Sequence, residues 1–444
     1  MSSTHKLFLK LPKVFRRVIT IYLEYIWLWR SKKMLSEIEK KHFKELSKVK
    51  PRQWKEWVNQ QRGTSNTIQN RKARILFYHI NGLSFGGTEK FLQIIAKHLN
   101  PEKYEVWFMA GPQDEKRSRR TYINMPHIHI VDFTYDSVDK HLPYTVHGST
   151  PDIAEVILNN KIDLIITATP GHTVSPINLV RNIPIININI FGSFTVQKNI
   201  KKIIGLSHEV VARSSLVANP DIHEVMYIPS ETPPDMHVQA KEMRTTFGIL
   251  DSDFVFGRIG RPSDDIFDPI ALNAFALLQH TFPEVSKCCH YIIMAPSPLM
   301  IKKVKEENIK NVHFLDPSSR EEDVFTFHQA IDALAHARLD GETCGLNIAE
   351  SMLCSKPILT HTSHVWNAHL EYLDESFARI TKKDDSEAYM RHMHEFYTIH
   401  TEKPEIWAQM SLAAQDRARS LFLIESSITR FETFILEVLN DARK

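Results

Sequence analysis

The chain is poor in cysteine, with four in 444 residues: Cys288, Cys289, Cys344 and Cys354. Their spacing suits neither a metal site nor a disulfide framework, which points to a reducing compartment. The adjacent Cys288 and Cys289 read as two small buried hydrophobes. Histidine is common, at 23 residues, yet pairs such as His127/His129 and His392/His394 have no carboxylate or thiolate at ligand spacing, so no metal is expected. Charge of one sign is missing as well: a net charge of +3 gives no broad basic surface and argues against a nucleic-acid partner. No apolar run reaches the ~20 residues that span a bilayer. In the most hydrophobic stretch the uncharged run between Arg17 and Glu24 is six residues, and even across Glu24 the apolar part extends only from Val18 to Trp29. It has no small-residue cleavage site, which argues against a removed signal peptide. The G-x-G-x-x-G fingerprint of dinucleotide binding is also absent.

What is present is globular, at 43% apolar residues, and too long for one core, so two domains of about 150 to 200 residues plus extras are expected. Residues 1–72 belong to neither. There, Phe15, Ile19, Tyr22, Tyr25, Trp27 and Trp29 lie among Lys10, Lys13, Arg16, Arg17 and Arg30. Aromatic and aliphatic bulk flanked by cations suits a helix lying in a membrane interface, so residues 1–35 are expected to touch the membrane surface. A helix packed on its own protein is the alternative. A charged helix with Trp54 and Trp57 and a polar linker, Gln60–Asn70, follow.

From Ala73 to Ile80 the pattern is a buried strand, then a turn through Asn81–Gly87 and a helix from Thr88 that buries Phe91, Leu92, Ile94, Ile95 and Leu99. Gly86 and Gly87 let a phosphate or sugar approach the backbone, although a tight turn asks for glycine too. Strand signals recur at 105–110, 127–133, 163–168 and 184–190, with a helix opening at Thr150-Pro151-Asp152. This alternation predicts an open parallel sheet wrapped on both faces, with ligands at the carboxyl ends of its strands. His172, in the loop Thr169–Thr173, is a candidate contact for an acceptor. Glu209–Ser214 reads as a further strand, Met226–Pro229 as the last one, and Ser230–Asp235 as a hinge.

The second half opens with a helix through Met243 and Phe247 and a strand, Asp253–Gly260, that carries Arg258 and delivers Arg261 at its end. A diphosphate would bind there, and guanidinium suits it because it stays charged and offers a fork of donors. A helix with Ile270, Phe275 and Leu278, strands at 290–295 and 311–315, and a buried strand at 331–337 lead to Gly341-Glu342-Thr343-Cys344-Gly345-Leu346-Asn347-Ile348-Ala349-Glu350-Ser351-Met352. Glu342 in the loop, Gly345 and Leu346 where a helix begins, and Glu350 about one turn inside put two carboxylates and free N–H groups on one wall. Such a wall holds hydroxyls and an anion together. The helix must stop before Pro357. A strand at 358–361 and helices at 384–400, 404–421 and 424–439 finish the chain.

This stretch, Gly-Glu-x-x-Gly-Leu-x-x-x-Glu-x-Met, resembles the E-x7-E motif of the family 4 retaining glycosyltransferases, which have the GT-B fold. Gly86-Gly87-Thr88-Glu89 resembles their glycine-rich first loop, and Gly260-Arg261 their pyrophosphate-gripping Gly-Arg, with Gly257-Arg258 as the other register. The resemblance covers about residues 73–440 and implies an α/β fold of two doubly wound Rossmann-like domains facing a cleft. An acceptor domain would span 73–235, a donor domain 236–421, and a terminal helix, 422–444, would cross back to the first domain. The implied reaction moves a sugar from a nucleoside-diphosphate sugar to a hydroxyl of a glycan or lipid-linked acceptor. Arg261, with Arg258, would stabilise the departing diphosphate, supported by Gly86 and Gly87; Glu342 would orient the sugar, and Glu350 would accept the ribose hydroxyls. No cofactor or metal is implied, and no Asp-x-Asp motif stands in a suitable loop. With residues 1–35 on a membrane, the expected place is cytoplasmic and peripheral at the inner membrane face. The sequence departs from the family twice: Phe191 stands where a histidine is usual, and no lysine lies near Asp265, Ile266 and Phe267. The missing lysine opens an alternative, a catalytically silent protein that binds a nucleotide-sugar or a partner. A two-domain epimerase or phosphorylase is a further one; a phosphorylase needs a cofactor-bearing lysine that the sequence does not identify.

Overall fold

The structure is a computed structural model that describes residues 71–441 except 80, 112–117, 133–155, 158, 170–176, 178–179, 181–182, 194–196, 216–219 and 319. The expectations for residues 1–70, for the helix at Thr150 and for His172 lie outside the described residues.

Two parallel sheets form the chain. The first has seven strands in the order β3-β2-β1-β4-β5-β6-β7: β1 (Ala73–Tyr78), β2 (Tyr104–Ala110), β3 (Ile128–Asp132), β4 (Leu164–Thr169), β5 (Ile185–Asn189), β6 (Ile200–Gly205) and β7 (His223–Val225). Helix α1 (Gly87–His98) follows β1, and α2 (His208–Ser214) follows β6. Central strands such as β1, β4 and β5 are buried along almost their whole length and mostly apolar because helices or loops cover both faces of a parallel sheet. The second sheet has the order β10-β9-β8-β11-β13-β15: β8 (Phe254–Ile259), β9 (Cys289–Met294), β10 (Val312–Leu315), β11 (Ala333–Ala335), β13 (Ile358–His361) and β15 (Ala378–Thr381). A separate parallel pair joins β12 (Gly341–Glu342) to β14 (Trp366–Asn367). The helices of this half are α3 (His237–Thr246), α4 (Ile270–Thr281), α5 (Pro283–Ser286), α6 (Pro298–Glu306), α7 (Glu321–Ala330), α8 (Leu346–Leu353), α9 (Ser386–Glu402), α10 (Pro404–Phe422) and α11 (Ile424–Asp441).

In both sheets the strand order reverses beside the first strand, between β1 and β4 and between β8 and β11. A crevice opens at such a reversal, at the carboxyl ends of the strands. The two sheets are joined twice, and the joins lie side by side: Ser230 N donates to Phe422 O at 2.7 Å and Ile424 N to Ser230 O at 3.0 Å. After the second join α11 lies against α1, where Phe431 meets Phe91 edge-on at 6.2 Å and Glu432 accepts from Asn100 N at 2.9 Å. One apolar cluster runs without a break from the first sheet to α8, through Ile228, Cys344, Ile348 and Tyr372.

Three sequence expectations give way. Glu209–Ser214 is helical because Ser207 caps it, its Oγ accepting from Val210 N at 3.2 Å; the strand is upstream, at β6. The last strand of the first sheet is His223–Val225 rather than Met226–Pro229, which runs instead along the other half, where Ile228 N donates to Cys344 Sγ at 3.3 Å. The strand expected over 331–337 keeps only Ala333–Ala335.

Candidate active site

The two reversals face each other across a cleft of about 570 Å³, lined by Gly86, Gly87, Arg258, Arg261, Glu342, Gly345, Leu346 and Glu350 together. A larger cavity, about 790 Å³, lies at the opposite ends of β1–β3. Most of its cations are already engaged, Arg71 with Asp163, Arg74 with Glu105, and Lys97 and His98 with Glu231, so it offers an anion little.

Arg258 enters from the interior of β8 and is only 4% exposed. Its Nε donates to Ala337 O at 3.4 Å, while Nη1 is buried with no hydrogen-bond partner. Burial pulls this guanidinium below its ordinary pKa, so the protein holds an undercompensated cation at the cleft wall. Arg261, three residues on, stands exposed at the rim. Opposite it Glu89 is tucked over Gly86, its pKa raised by burial against the pull of its own N–H and of Arg261. Neither Gly86 nor Gly87 has a positive φ, so the turn itself does not demand them. The room left by the missing side chain of Gly86 is taken by the Glu89 carboxylate, and a Cβ at Gly87 would come within 3.3 Å of Ile228 Cδ1.

Glu342 sits on β12, where pairing with β14 fixes it. His336 Nε2 is 3.0 Å from its Oε1, so that nitrogen carries the proton, and Arg338 Nη1 is 3.6 Å from Oε2. Burial pushes the carboxyl up, but Arg338 and His336 together hold it down at about 2. Gly345 then turns the chain into α8 with φ +81°, a left-handed position; a Cβ there would stand 2.8 Å from the Tyr372 hydroxyl. That hydroxyl donates to Cys344 O at 2.5 Å and locks the turn. The free N–H groups at Leu346 thus open onto the cleft beside Arg258, an anion-binding arrangement. Asn347 ties it to β8, its Nδ2 donating to Ile259 O at 2.8 Å.

Glu350 is buried and paired. Lys90 Nζ, from α1, donates to its Oε1 at 2.5 Å, and His328 Nε2 lies 3.7 Å from Oε2. Burial pushes its pKa up, but Lys90 and His328 bring it to about 2. Both carboxylates therefore sit well below the ordinary 4.5 of glutamate. Their contribution to stability is complete above pH 4.5 and is lost as the pH falls towards 2, on the order of 3 kcal/mol for each. The urea midpoint should fall steeply below pH 4.5, and less steeply in Glu350→Gln. Parallel curves for the two proteins would show that Glu350 carries none of this dependence.

Sequence reading missed Lys90, Arg119, Glu321, His328, His336 and Arg338, all brought to this cleft or its wall. The partners of Lys90, Arg119, Glu321 and His328 lie far along the chain, so only His336 and Arg338, whose partners are Glu342 and Asp340, left a local signal, standing at the end of a buried strand. Among the described residues no group of three or more His, Cys, Asp or Glu is arranged to hold a metal ion, and no helix is long and apolar enough to cross a membrane. Where the resemblance implies a lysine, the structure has exposed Asp265, buried Ile266 and half-buried Phe267.

The chain matches no family model and no curated protein sequence. Solved structures do match. HepE of Anabaena, in complex with UDP and glucose, superposes with a TM-score of 0.64 at 17% identity, over 81% of this chain and 98% of that one. A glycosyltransferase of Rickettsia africae gives 0.64 at 14% identity over 83% and 99%. Sucrose-phosphate synthase of Thermosynechococcus elongatus gives 0.63 at 12% identity over 83% and 100%. With two reversed parallel sheets facing one cleft, the chain has the α/β architecture of the GT-B fold.

Proposed function

We propose that this chain is a retaining glycosyltransferase that moves a sugar from a nucleoside-diphosphate sugar to a hydroxyl of a glycan or lipid-linked acceptor. The observation that carries the reading is the uncommitted Nη1 of Arg258, a buried cation facing the same cleft as the start of α8 and Glu342. Breaking the bond between the anomeric carbon and phosphate builds charge on the leaving diphosphate, and cations and N–H groups fixed in advance stabilise it. The acceptor oxygen takes the carbon and its proton passes to the leaving phosphate, so no separate base is required. Glu342 orients the sugar hydroxyls, Glu350 is the acceptor for the ribose, and Arg261 closes on the diphosphate from the rim. Neighbours described with UDP and with UDP-glucose support this class of donor. The basic aromatic segment before residue 36 supports an acceptor met at a membrane surface.

The missing lysine favours the second reading, a silent nucleotide-sugar binder. Arg338 weighs against it by adding another guanidinium to the cleft, although Asp340 at 2.6 Å and Glu342 at 3.6 Å hold much of its fork. The test is nucleotide release from a panel of UDP-, GDP- and ADP-sugars. One donor should be consumed, and Arg261→Ala and Glu342→Ala should each slow release on the order of 100-fold. Turnover that survives both changes means that the site is elsewhere, and binding without release selects the silent protein.

A further inference from the structure

Lys90 reaches across from α1 and covers the carboxylate on which ribose binding depends. Besides its 2.5 Å bond to Glu350 Oε1, its Nζ lies 2.9 Å from Glu321 Oε1. Arg119, also from the first half, places Nη2 3.2 Å from that same Glu321 oxygen. Two cations of one half thus meet two carboxylates of the other, and the group is neutral as a whole. The side chains of Lys90 and Glu350 are each 6% exposed. With Lys90 at 2.5 Å on one oxygen and His328 3.7 Å from the other, a diol that donates to both oxygens must share Glu350 with the ammonium. Ribose at Glu350 and the observed pairing therefore compete. Glu321 shows how the exchange is made without stranding a charge: at 22% exposed it keeps a partner for Lys90 when Glu350 is given up.

We propose that Lys90 is a built-in competitor for the ribose-binding carboxylate, an ionic clasp across the cleft that a nucleoside diphosphate must displace. The inference rests on the nucleotide-sugar reading for its ligand, but the clasp exists without one. It predicts an affinity change of unusual sign: removing a cation from the cleft tightens the binding of an anionic nucleotide.

Isothermal titration of UDP, GDP and ADP into wild type and Lys90→Met decides it. The best-bound nucleotide should bind about 5-fold more tightly or better to the variant, whereas inorganic pyrophosphate, which has no ribose, should bind no more tightly. Equal or weaker nucleotide binding overturns the proposal and makes Lys90 a phosphate ligand or a strut. Glu321→Gln, which takes away the partner that Lys90 keeps on release, should move nucleotide affinity the other way, to weaker binding, and guards against a misfolded Lys90→Met. Small-angle scattering without ligand gives a second readout, a larger radius of gyration for Lys90→Met. If Lys90→Met opens but none of the nucleotides binds any of the proteins, the clasp stands and the nucleotide-sugar reading fails. If no nucleotide binds and the radius is unchanged, the clasp is overturned.

Discussion

Replacing Arg258 by methionine should cut nucleotide-sugar turnover on the order of 100- to 1000-fold while raising the temperature of unfolding. The two effects have one cause. Arg258 is 4% exposed and leaves Nη1 without a partner, so folding strips water from a charge and returns little for it. A side chain of similar length and no charge removes that cost, a gain of about 1–3 kcal/mol. The same unreturned charge is what a departing diphosphate would find waiting. Lysine at this position keeps a cation but loses the planar fork, and should recover only part of the turnover. A methionine variant that melts lower and still turns over would make Arg258 a structural strut and remove the central support of the proposed reaction.

The elements that sequence reading placed well are those where local pattern and tertiary position agree. Ala73–Tyr78, Phe254–Ile259 and Ile358–His361 are mostly apolar, almost wholly buried runs bounded by turns, and a buried parallel strand favours such a pattern. The helix after Gly345 was legible because the glycine, the apolar spacing and Pro357 all mark its ends. Agreement failed at Lys201 and Lys202, two charges inside β6 that hid the strand. Lys202 is tolerated because it lies over the Phe434 ring at 4.8 Å and reaches Glu437 at 2.7 Å, both on α11. Val210 and Val211 then suggested a strand where Ser207 starts a helix, since tertiary context overrides β-propensity. In the cleft, the residues were legible but their states were not. Glu350 was expected open to a ribose, and the lysine that covers it is 260 residues away in sequence. No pattern within one segment carries that information.

Among stability changes the largest expected is Gly341→Ala, and its size separates two reasons for glycine. Gly341 has φ +70°, and so has Gly248, after α3. Alanine in this region costs about 1–2 kcal/mol through its backbone alone. At Gly248 an added Cβ meets nothing within 4 Å, so that cost should be the whole effect. At Gly341 the Cβ would fall far inside 3.0 Å of the Trp366 carbonyl oxygen and 2.9 Å from Ser363 Cβ. That oxygen cannot retreat alone. It accepts from Ser363 Oγ at 2.9 Å, its ring lies under Arg213 at 3.5 Å, and the next residue, Asn367, donates its N–H to Glu209 Oε2 at 2.8 Å. Pushing β14 away thus breaks the pair that holds Glu342 and loosens the contact between the two halves. Gly341→Ala should cost about 4 kcal/mol or more, in the tail reserved for steric conflict in a packed site, and Gly248→Ala about 1–2 kcal/mol. Urea midpoints of the two variants make the comparison. Equal losses would mean that β12 and β14 give way freely, and a Glu342 held by so soft a pair could not orient a sugar.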